Sequence, residues 1–377
     1  MVIIIRSKRF FTVAFILVAI VCLFLILPNL NRYESLVYKS MPVSSELTEV
    51  YTPIIENIIR TRNKAMLEDD TEAIKFMYDT GKRFGIWAFE HEQMKIKYLH
   101  NWAEKQGVKF TDIDSVFKVR WVKEQANKAT VNFSEITEYV YEYENMQGVQ
   151  NKLRIATYHV LDIISESDNH IITKEWYTDP FADSLNPQSL KAEGNKSFIL
   201  SQEERDFSGL NERRIKAVEY ADLYCAAGPD EKYFFQYNKN YKNFNPLGGD
   251  CANFASQVLF EGGKFRKTSV WNYYKNDGSR AWVNAQSFKN YLINSGRGSV
   301  IAQGTYDKVL KLSYKLLPGD IVAYEKKGKV VHVSVVTGAD SRGYSLVNCH
   351  NTDRYRVPWD LGWSDKGIKF WLIRVHY

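Results

Sequence analysis

One stretch decides how the C-terminal half of this chain folds: Gly248-Gly249-Asp250-Cys251-Ala252-Asn253-Phe254-Ala255-Ser256-Gln257. Two glycines free the backbone, an acid follows, and a cysteine opens a run with apolar residues at Phe254, Ala255 and Val258. That spacing repeats at the helical period. The stretch therefore predicts a helix that begins at or just before Cys251.

A cysteine at a helix start is suited to nucleophilic chemistry. The unpaired N–H groups and the helix dipole favour an anion, which lowers a cysteine pKa from about 8.5 toward 7 or below. The same N–H groups can hold the oxyanion that forms when a thiolate attacks a carbonyl. We therefore expect Cys251 to be a reactive thiolate. The alternative is a small buried hydrophobic residue.

A histidine that can serve this cysteine lies in the strand Val330–Val336. Alternation puts Val330, His332, Ser334 and Val336 on one face of that strand and Val331, Val333 and Val335 on the other. A lone ionisable ring in so apolar a strand is costly unless it has partners. We expect His332 to be the base of a cysteine–histidine pair. The alternative is a core histidine whose hydrogen bonds are satisfied.

The base also needs a group that orients its ring, and the next strand offers two candidates. Asn348 and His350 are two residues apart and share a face. His350 is preferred and Asn348 is the alternative, while Asp353 either caps the following turn or serves the site. A zinc site would use Cys251, His332, Cys349 and His350. The opposite facing of the adjacent Cys349 and His350 and the lack of a C-x-x-C pair argue against it.

The composition is that of a globular protein with a mild basic bias. Fifty Lys and Arg against forty-four Asp and Glu give a net charge of +6, far short of a nucleic-acid-binding footprint. The four cysteines, Cys22, Cys225, Cys251 and Cys349, do not form a disulfide framework for 377 residues. A Cys225–Cys349 bridge stays open as an alternative to two buried thiols.

The N-terminus predicts a membrane anchor. A basic segment, residues 1–9, precedes an uncharged apolar run over residues 10–27 that Pro28 ends. The length suffices for a membrane-spanning helix, and the basic flank predicts a cytoplasmic N-terminus with the rest of the chain outside. If the segment is instead a cleaved signal peptide, the protein is secreted.

The remaining chain predicts an α+β protein in two parts. Over residues 45–180, helical patterns up to Gly107 precede a series of alternating strands, an order that resembles the cone-shaped domains of the nuclear-transport-factor-like superfold. Such a domain could hold a protein partner. Residues 181–206 are aperiodic and predict a linker. In residues 207–377, a cysteine-bearing helix followed by an antiparallel sheet carrying a histidine has the order of papain-like enzymes.

The C-terminal part also resembles a known family, the bacterial "putative amidase" domain, a papain-like relative of the cysteine, histidine-dependent amidohydrolases and peptidases. The resemblance covers roughly the last 170 residues and rests on several motifs, with Ala252 where the family often has threonine. These motifs are Ala217-Val-Glu-Tyr-Ala, the Gly248–Gln257 stretch, Trp282-Val-Asn, Leu317-Pro-Gly-Asp-Ile-Val, the His332 strand and His350-Asn-Thr-Asp-Arg.

The resemblance implies a role for each matching residue. Cys251 would be the nucleophile, His332 the base and His350 the third polar member. Asp250 and the Cys251 N–H would shape the oxyanion site, and the loop with Trp271 and Trp282 would border the substrate groove. The expected substrate is an amide or peptide bond, with peptidoglycan as its expected source. No metal or other cofactor is implied.

Together these expectations describe a membrane-anchored, extracytoplasmic thiol hydrolase with an α+β accessory domain. The alternative is a non-catalytic, membrane-tethered binding or assembly module that uses the same fold.

Overall fold

The structure is a computed structural model that describes residues 45–166, 169–181, 193–363 and 367–377. The basic segment 1–9 and the predicted anchor 10–27 lie outside the described residues. Within the described ranges, no helix combines the length and apolar character needed to cross a membrane. From residue 45 onward, the described residues form one compact unit of mixed helix and sheet. The α+β class is thus confirmed.

Helices precede strands in the N-terminal half, as the sequence predicts. Helix α2 ends where Gly107 takes a φ of 72°, a left-handed conformation that glycine adopts without strain. The elements are α1 (Ser45–Glu68), a 3-10 turn (Glu72–Met77), α2 (Arg83–Gln106), β1 (Val108–Gln125), β2 (Lys128–Tyr143), β3 (Asn151–Glu166) and β4 (Asn169–Trp176).

The C-terminal half contains the shorter elements that build the candidate site. Its helices are α3 (Glu193–Leu200), α4 (Glu212–Tyr224), α5 (Cys251–Gln257), α6 (Arg280–Val283), α7 (Ala285–Asn294) and α8 (Tyr306–Ser313), with a π-helical turn at Val258–Gly262 after α5. Its strands are β5 (Tyr273–Tyr274), β6 (Asp277–Gly278), β7 (Gly298–Gly304), β8 (Ile321–Lys326), β9 (Lys329–Ala339), β10 (Ser345–Cys349), β11 (Asp353–Pro358) and β12 (Ile368–Val375).

One sheet runs through both halves. Among the described residues, ten strands pair in the order β1-β2-β3-β11-β10-β9-β8-β12-β7, with β4 on β3. Antiparallel pairing of β3 with β11 joins the halves, and Ala156 lies opposite Asp353. The predicted limits of the two domains stay predictions. The β3–β11 seam shows that residues 45–180 contribute strands to the same sheet as the C-terminal half.

Two cores cover the two faces of this sheet, and β9 contributes to both. Val333 and Val335 belong to a core with α4, α5 and α7, which we call the α5 core. Val336 belongs to a core with α1 and α2, the α2 core. His332 alternates with Val333 and lies opposite Tyr324, a member of the α2 core. The strand therefore directs His332 to the α2 side of the sheet.

Candidate active site

The Gly248-Gly249 turn delivers Cys251 to the first position of α5, as predicted from the sequence. The two glycines have φ angles of 109° and 133°. A Cβ on Gly249 would lie 2.3 Å from the side-chain nitrogen of Asn351, so only glycine fits there. The N–H of Asp250 donates to Oδ1 of Asn351 over 2.5 Å. The turn is thereby fixed against the loop between β10 and β11.

The thiol of Cys251 is buried and neutral. Burial raises the pKa of Cys251 to about 12, although the backbone amides of Val333 and Ala252 act in the opposite direction. The lowered pKa predicted from the helix start is therefore wrong. A thiolate gains from nearby N–H groups, but removing it from water costs more here.

His350 lies on the same side of the sheet as Cys251, in a fully bonded setting. Its Nδ1 is 2.6 Å from Oδ2 of Asp250, and its Nε2 is 2.8 Å from the carbonyl oxygen of Tyr224. Burial works against protonation, but the bond to Asp250 and its charge raise the pKa of His350 above the usual value. Both ring nitrogens thus face acceptors and donate as an imidazolium. Tyr237 and Phe254 stack on the ring, with centroids 3.8 and 4.2 Å away.

The carboxylate of Asp250 holds the turn in place. Besides His350, it accepts hydrogen bonds from the backbone N–H of Phe244 at 2.8 Å and from Nδ2 of Asn253 at 2.9 Å. Its oxygens are therefore committed to the loop before α5 and to α5 itself. In this structure Asp250 is a positioning residue for the turn that leads to Cys251.

Asn348 is likewise engaged elsewhere. Its Nδ2 donates to Asp222 at 2.8 Å, and its Oδ1 accepts from Thr337 at 2.9 Å and from the N–H of Arg356 at 2.8 Å. Among the described residues, neither His350 nor Asn348 is thus hydrogen-bonded to His332. The orienting role expected for them is therefore not seen in this arrangement: both ring nitrogens of His350 are used elsewhere, and the hydrogen bonds of Asn348 go to Asp222, Thr337 and Arg356.

Trp271 and Trp282 also differ from expectation. They are 1% and 0% exposed, and they pack behind α5 rather than along a groove. The indole N–H of Trp271 donates to Ser256, and that of Trp282 donates to Asn253, each at 2.9 Å. These bonds satisfy polar side chains of α5 that face the core. The two tryptophans therefore support the helix that carries Cys251.

His332 is buried with an incomplete set of partners. Its ring centroid lies 5.4 Å from that of Tyr324 and 5.2 Å from that of Trp363. Within the part of the chain that the structure describes, its Nε2 has no hydrogen-bond partner, and no hydrogen bond joins it to Cys251. Burial and the charge of Arg354 hold the pKa of His332 well below its usual value. The imidazole of His332 is thus uncharged.

A pocket of about 610 Å³ opens where β8 and β10 end and β9, β11 and β12 begin. It is lined by both halves of the chain: Ala156, Tyr158, Trp176, Thr178, Asp179, Pro180, Tyr237, Asn245, Gly248, Gly249, Lys326, Val331, His332, Asn351, Thr352, Asp353, Arg354, Gly362, Trp363 and Ile368. The pocket therefore contacts both the turn that precedes Cys251 and the His332 ring. Sequence reasoning missed Tyr158, Trp176 and Arg354 as pocket residues, although Arg354 ends one of the quoted motifs.

Asp353, which was expected to cap a turn or serve the site, lies in this pocket wall. Its oxygens accept from the hydroxyls of Tyr158 at 2.8 Å and Tyr237 at 2.7 Å. Burial raises the pKa of Asp353 to about 6, while the nearby His350 charge opposes that rise. Asp353 therefore changes charge close to neutral pH.

Two further alternatives from the sequence were a Cys225–Cys349 disulfide and a zinc site. Cys225 and Cys349 are free thiols, so the alternative of a bridge between them is wrong. In the described ranges, no group of three or more His, Cys, Asp or Glu side chains is placed to hold a metal ion.

Comparison with known proteins finds a similarity in the C-terminal part. Residues 211–373 match the family described as "Putative amidase domain". The chain is similar to a protein of Bacillus subtilis (strain 168) named "Uncharacterized protein YjcM", with 32% identity over 163 residues. That match covers 40% of this chain and 36% of the relative, so the chain spans about a third of the length of the relative that it matches.

Two solved structures have low overall similarity. One is the intermembrane space region of the chloroplast protein ARC6, with 11% identity and a TM-score of 0.26 over 34% of this chain and 95% of that one. The other is entitled a "putative ca/calmodulin-dependent kinase ii association domain" from Exiguobacterium sibiricum 255-15, with 14% identity and a TM-score of 0.20 over 37% of this chain and 95% of that one.

Proposed function

We propose, on the premise that residues 211–373 match an amidase family, that this protein is a thiol-dependent amide hydrolase with Cys251 as nucleophile and His332 as base. One observation carries the proposal. The buried Nε2 of His332 lacks a hydrogen-bond partner among the described residues, in a pocket that also borders the turn before Cys251. A buried polar atom left in this way costs about 1–3 kcal/mol, which a reacting thiol or a substrate would offset.

The proposed reaction starts from a neutral pair, because burial keeps the thiol protonated and the imidazole unprotonated. As the Cys251 sulfur attacks the amide carbonyl, its proton passes to His332. The imidazolium then protonates the leaving nitrogen, the C–N bond breaks, and a thioester remains on Cys251. Water attacks the thioester with His332 as base, which releases the carboxylic acid and restores the thiol.

This reaction requires a movement of His332. Alternation in β9 directs its side chain to the α2 core, whereas Cys251 lies in the α5 core. His332 lines the pocket near the start of β9, and the Gly248-Gly249 turn that leads to Cys251 lines the same pocket. In the proposal, substrate entry moves the His332 ring away from Tyr324 and Trp363. The ring then reaches the Cys251 thiol by passing around the N-terminal end of β9. The described arrangement is then the resting state.

The wider setting of the proposal comes from the sequence. Residues 10–27 anchor the chain in the cell membrane, and the following residues are extracytoplasmic, where the amide substrate is a peptide of peptidoglycan. Residues 45–180 form a cone-like domain, and residues 207–377 form a papain-like domain. Protease treatment of intact cells tests the orientation: we expect digestion of residues beyond 45 and protection of residues 1–9.

The activity is tested by incubating the purified full-length chain with solubilised bacterial wall peptides and analysing the products by mass spectrometry. We expect new product pairs whose masses sum to the parent plus one water. Cys251→Ala and His332→Ala should abolish them, and Cys225→Ala, which removes another buried free thiol, should not. Full activity in Cys251→Ala would exclude the proposed mechanism.

A second candidate is the non-catalytic binding module. The observation that favours it is the neutral, buried thiol, whose pKa of about 12 leaves little thiolate at pH 7. A binding module would retain wall peptides without product formation, equally in the wild type and in Cys251→Ala.

A further inference from the structure

Arg354 in the pocket wall differs from the other buried arginines. Three arginines are buried in the described part of the chain: Arg62, Arg214 and Arg354. Arg62 pairs with Glu175, and Arg214 pairs with Asp320 at 2.9 Å. Arg354 is 3% exposed and has no ion pair among the described residues. Burying a charge without a counter-ion costs folding free energy, so the unpaired guanidinium of Arg354 indicates a function that offsets this cost.

The hydrogen bonds of Arg354 are also incomplete. Its Nη1 donates to the carbonyl oxygen of Leu361 at 2.8 Å, and its Nε has no partner within the described ranges. Pairing of β11 with β3 fixes its backbone, with Arg354 opposite Ile155. The guanidinium is therefore held in place at the pocket with donors unused.

The nearest carboxylate in sequence does not neutralise this charge. Asp353 precedes Arg354 in β11, so the two side chains point to opposite faces of the strand. Its oxygens accept from Tyr158 and Tyr237. The charge of Arg354 instead acts on His332, Tyr324 and Cys349. Arg354 thus lies near the proposed base, on the α2 side of the sheet.

We propose that Arg354 binds a carboxylate group of the substrate. This inference rests on the proposed amidase function and names its substrate class: an amide that carries a free carboxylate close to the bond that is cleaved. A guanidinium matches a planar carboxylate through two parallel hydrogen bonds. The bound carboxylate supplies the missing counter-ion and places the neighbouring amide between His332 and the Gly248-Gly249 turn.

Binding of small peptides tests this without turnover. The full-length chain carrying Cys251→Ala is titrated by calorimetry with trialanine as the free acid and with trialanine amide. We expect the free acid to bind roughly 10- to 100-fold more tightly, the range for a hydrogen bond to a buried charged group. Arg354→Gln should remove the difference. Arg354→Lys keeps the positive charge but loses the two parallel N–H donors of the guanidinium, so it should retain part of the difference in affinity.

Lys326→Gln is the matched control, because Lys326 is an exposed cation in the wall of the same pocket. We expect it to leave the preference for the free acid intact. Circular dichroism of each variant verifies folding, and Arg354→Lys gives a readout if Arg354→Gln does not fold. Equal affinity for the two peptides, a preference that survives Arg354→Gln, or no binding of the free acid would each overturn the proposal.

The proposed hydrolysis and the proposed carboxylate binding can be disproved independently of each other. Cleavage that depends on Cys251 but is equally fast for free-acid and amide peptides would leave the amidase function standing and overturn the role of Arg354. Binding that depends on Arg354 without any Cys251-dependent cleavage would support the carboxylate site and contradict the amidase function.

Discussion

His350 and His332 lie on opposite sides of one sheet, and their surroundings could hardly differ more. Both rings are at least 95% buried. The His350 region is complete: Asp250 and Tyr224 accept from its nitrogens, and two aromatic rings enclose it. The His332 region is incomplete, since its Nε2 and the Nε of Arg354 have no partners among the described residues.

This difference in hydrogen bonding separates the structural role of His350 from the catalytic role proposed for His332. A buried imidazolium paired with a carboxylate holds elements together, and here it ties β10 to the turn before α5. A neutral imidazole with an unused nitrogen beside a pocket is available to take up a proton. Equal burial therefore does not imply an equal role, and the number of satisfied hydrogen bonds distinguishes the two histidines.

The largest expected effect concerns the thiol that the His350 region positions. With a pKa of about 12, Cys251 should react with iodoacetamide at pH 7 roughly a thousandfold more slowly than free cysteine, because its thiolate is that much rarer. Rates measured by peptide mapping should rise about tenfold per pH unit up to pH 10. A plateau with an apparent pKa below 8 would show that the thiol is activated in the resting protein.

Replacing His350 breaks the complete region. His350→Leu should lower the free energy of unfolding by about 3–5 kcal/mol, because it leaves the charge of Asp250 buried without its partner. The pKa of His350 is raised on folding, so its contribution is full below pH 6.5 and is lost as pH rises through the raised value. The loss, measured by urea unfolding, should therefore shrink at high pH. The exposed His376→Leu serves as the control and should change little.

Asp353 adds a pH dependence of the same sign, because its pKa is also raised on folding. Burial raises its pKa from 3.8 to about 6, so the folded state holds the proton more tightly than the unfolded chain. The stability from this group is present at low pH and falls by roughly 3 kcal/mol between pH 4 and 7. Asp353→Asn should lack that fall, and urea unfolding at several pH values measures it. Parallel pH profiles for the variant and the wild type would show that Asp353 has an ordinary pKa.

The smallest effect comes from the same substitution at the other histidine. His332→Leu should leave the free energy of unfolding unchanged or raise it by about 1 kcal/mol, because leucine removes an unsatisfied polar atom and fits against Tyr324 and Trp363. A loss as large as that in His350→Leu, measured under the same conditions, would mean that His332 has a structural role after all.

The sequence indicated local structure well. The helical spacing after Gly248-Gly249 placed the start of α5 at Cys251, and alternation correctly grouped His332 with Ser334 and Val336. The placement of Val330 on that face was wrong, because a register shift in the pairing with β8 brings Val330 into the α5 core with Val333 and Val335. The alternating pattern sorts residues onto the two faces of a strand, however, and does not say which face a helix distant in sequence will cover. The sequence could therefore not show that α5 packs on the Val333 side, away from His332.

Long-range packing decided the remaining differences. The pKa of Cys251 depends on burial by segments far from it in sequence, which outweighs the local helix-start effect. Trp271 and Trp282 come from an aromatic-rich segment whose composition suits a groove or a core equally, and their hydrogen bonds to α5 place them in the core. The seam between β3 and β11, which brings Tyr158 to the pocket, leaves no signal in either strand alone.

In the proposed reaction Cys251 and His332 act together on an amide, and trapping the acyl intermediate on Cys251 distinguishes this reaction from any other. The full-length chain is mixed with solubilised wall peptides, quenched in acid within seconds and examined by intact and peptide mass spectrometry. We expect an acyl group on the peptide that contains Cys251, in smaller amount in His332→Ala and absent in Cys251→Ala. Amide cleavage by Cys251→Ala at the wild-type rate, with no acyl group on any cysteine, would contradict it.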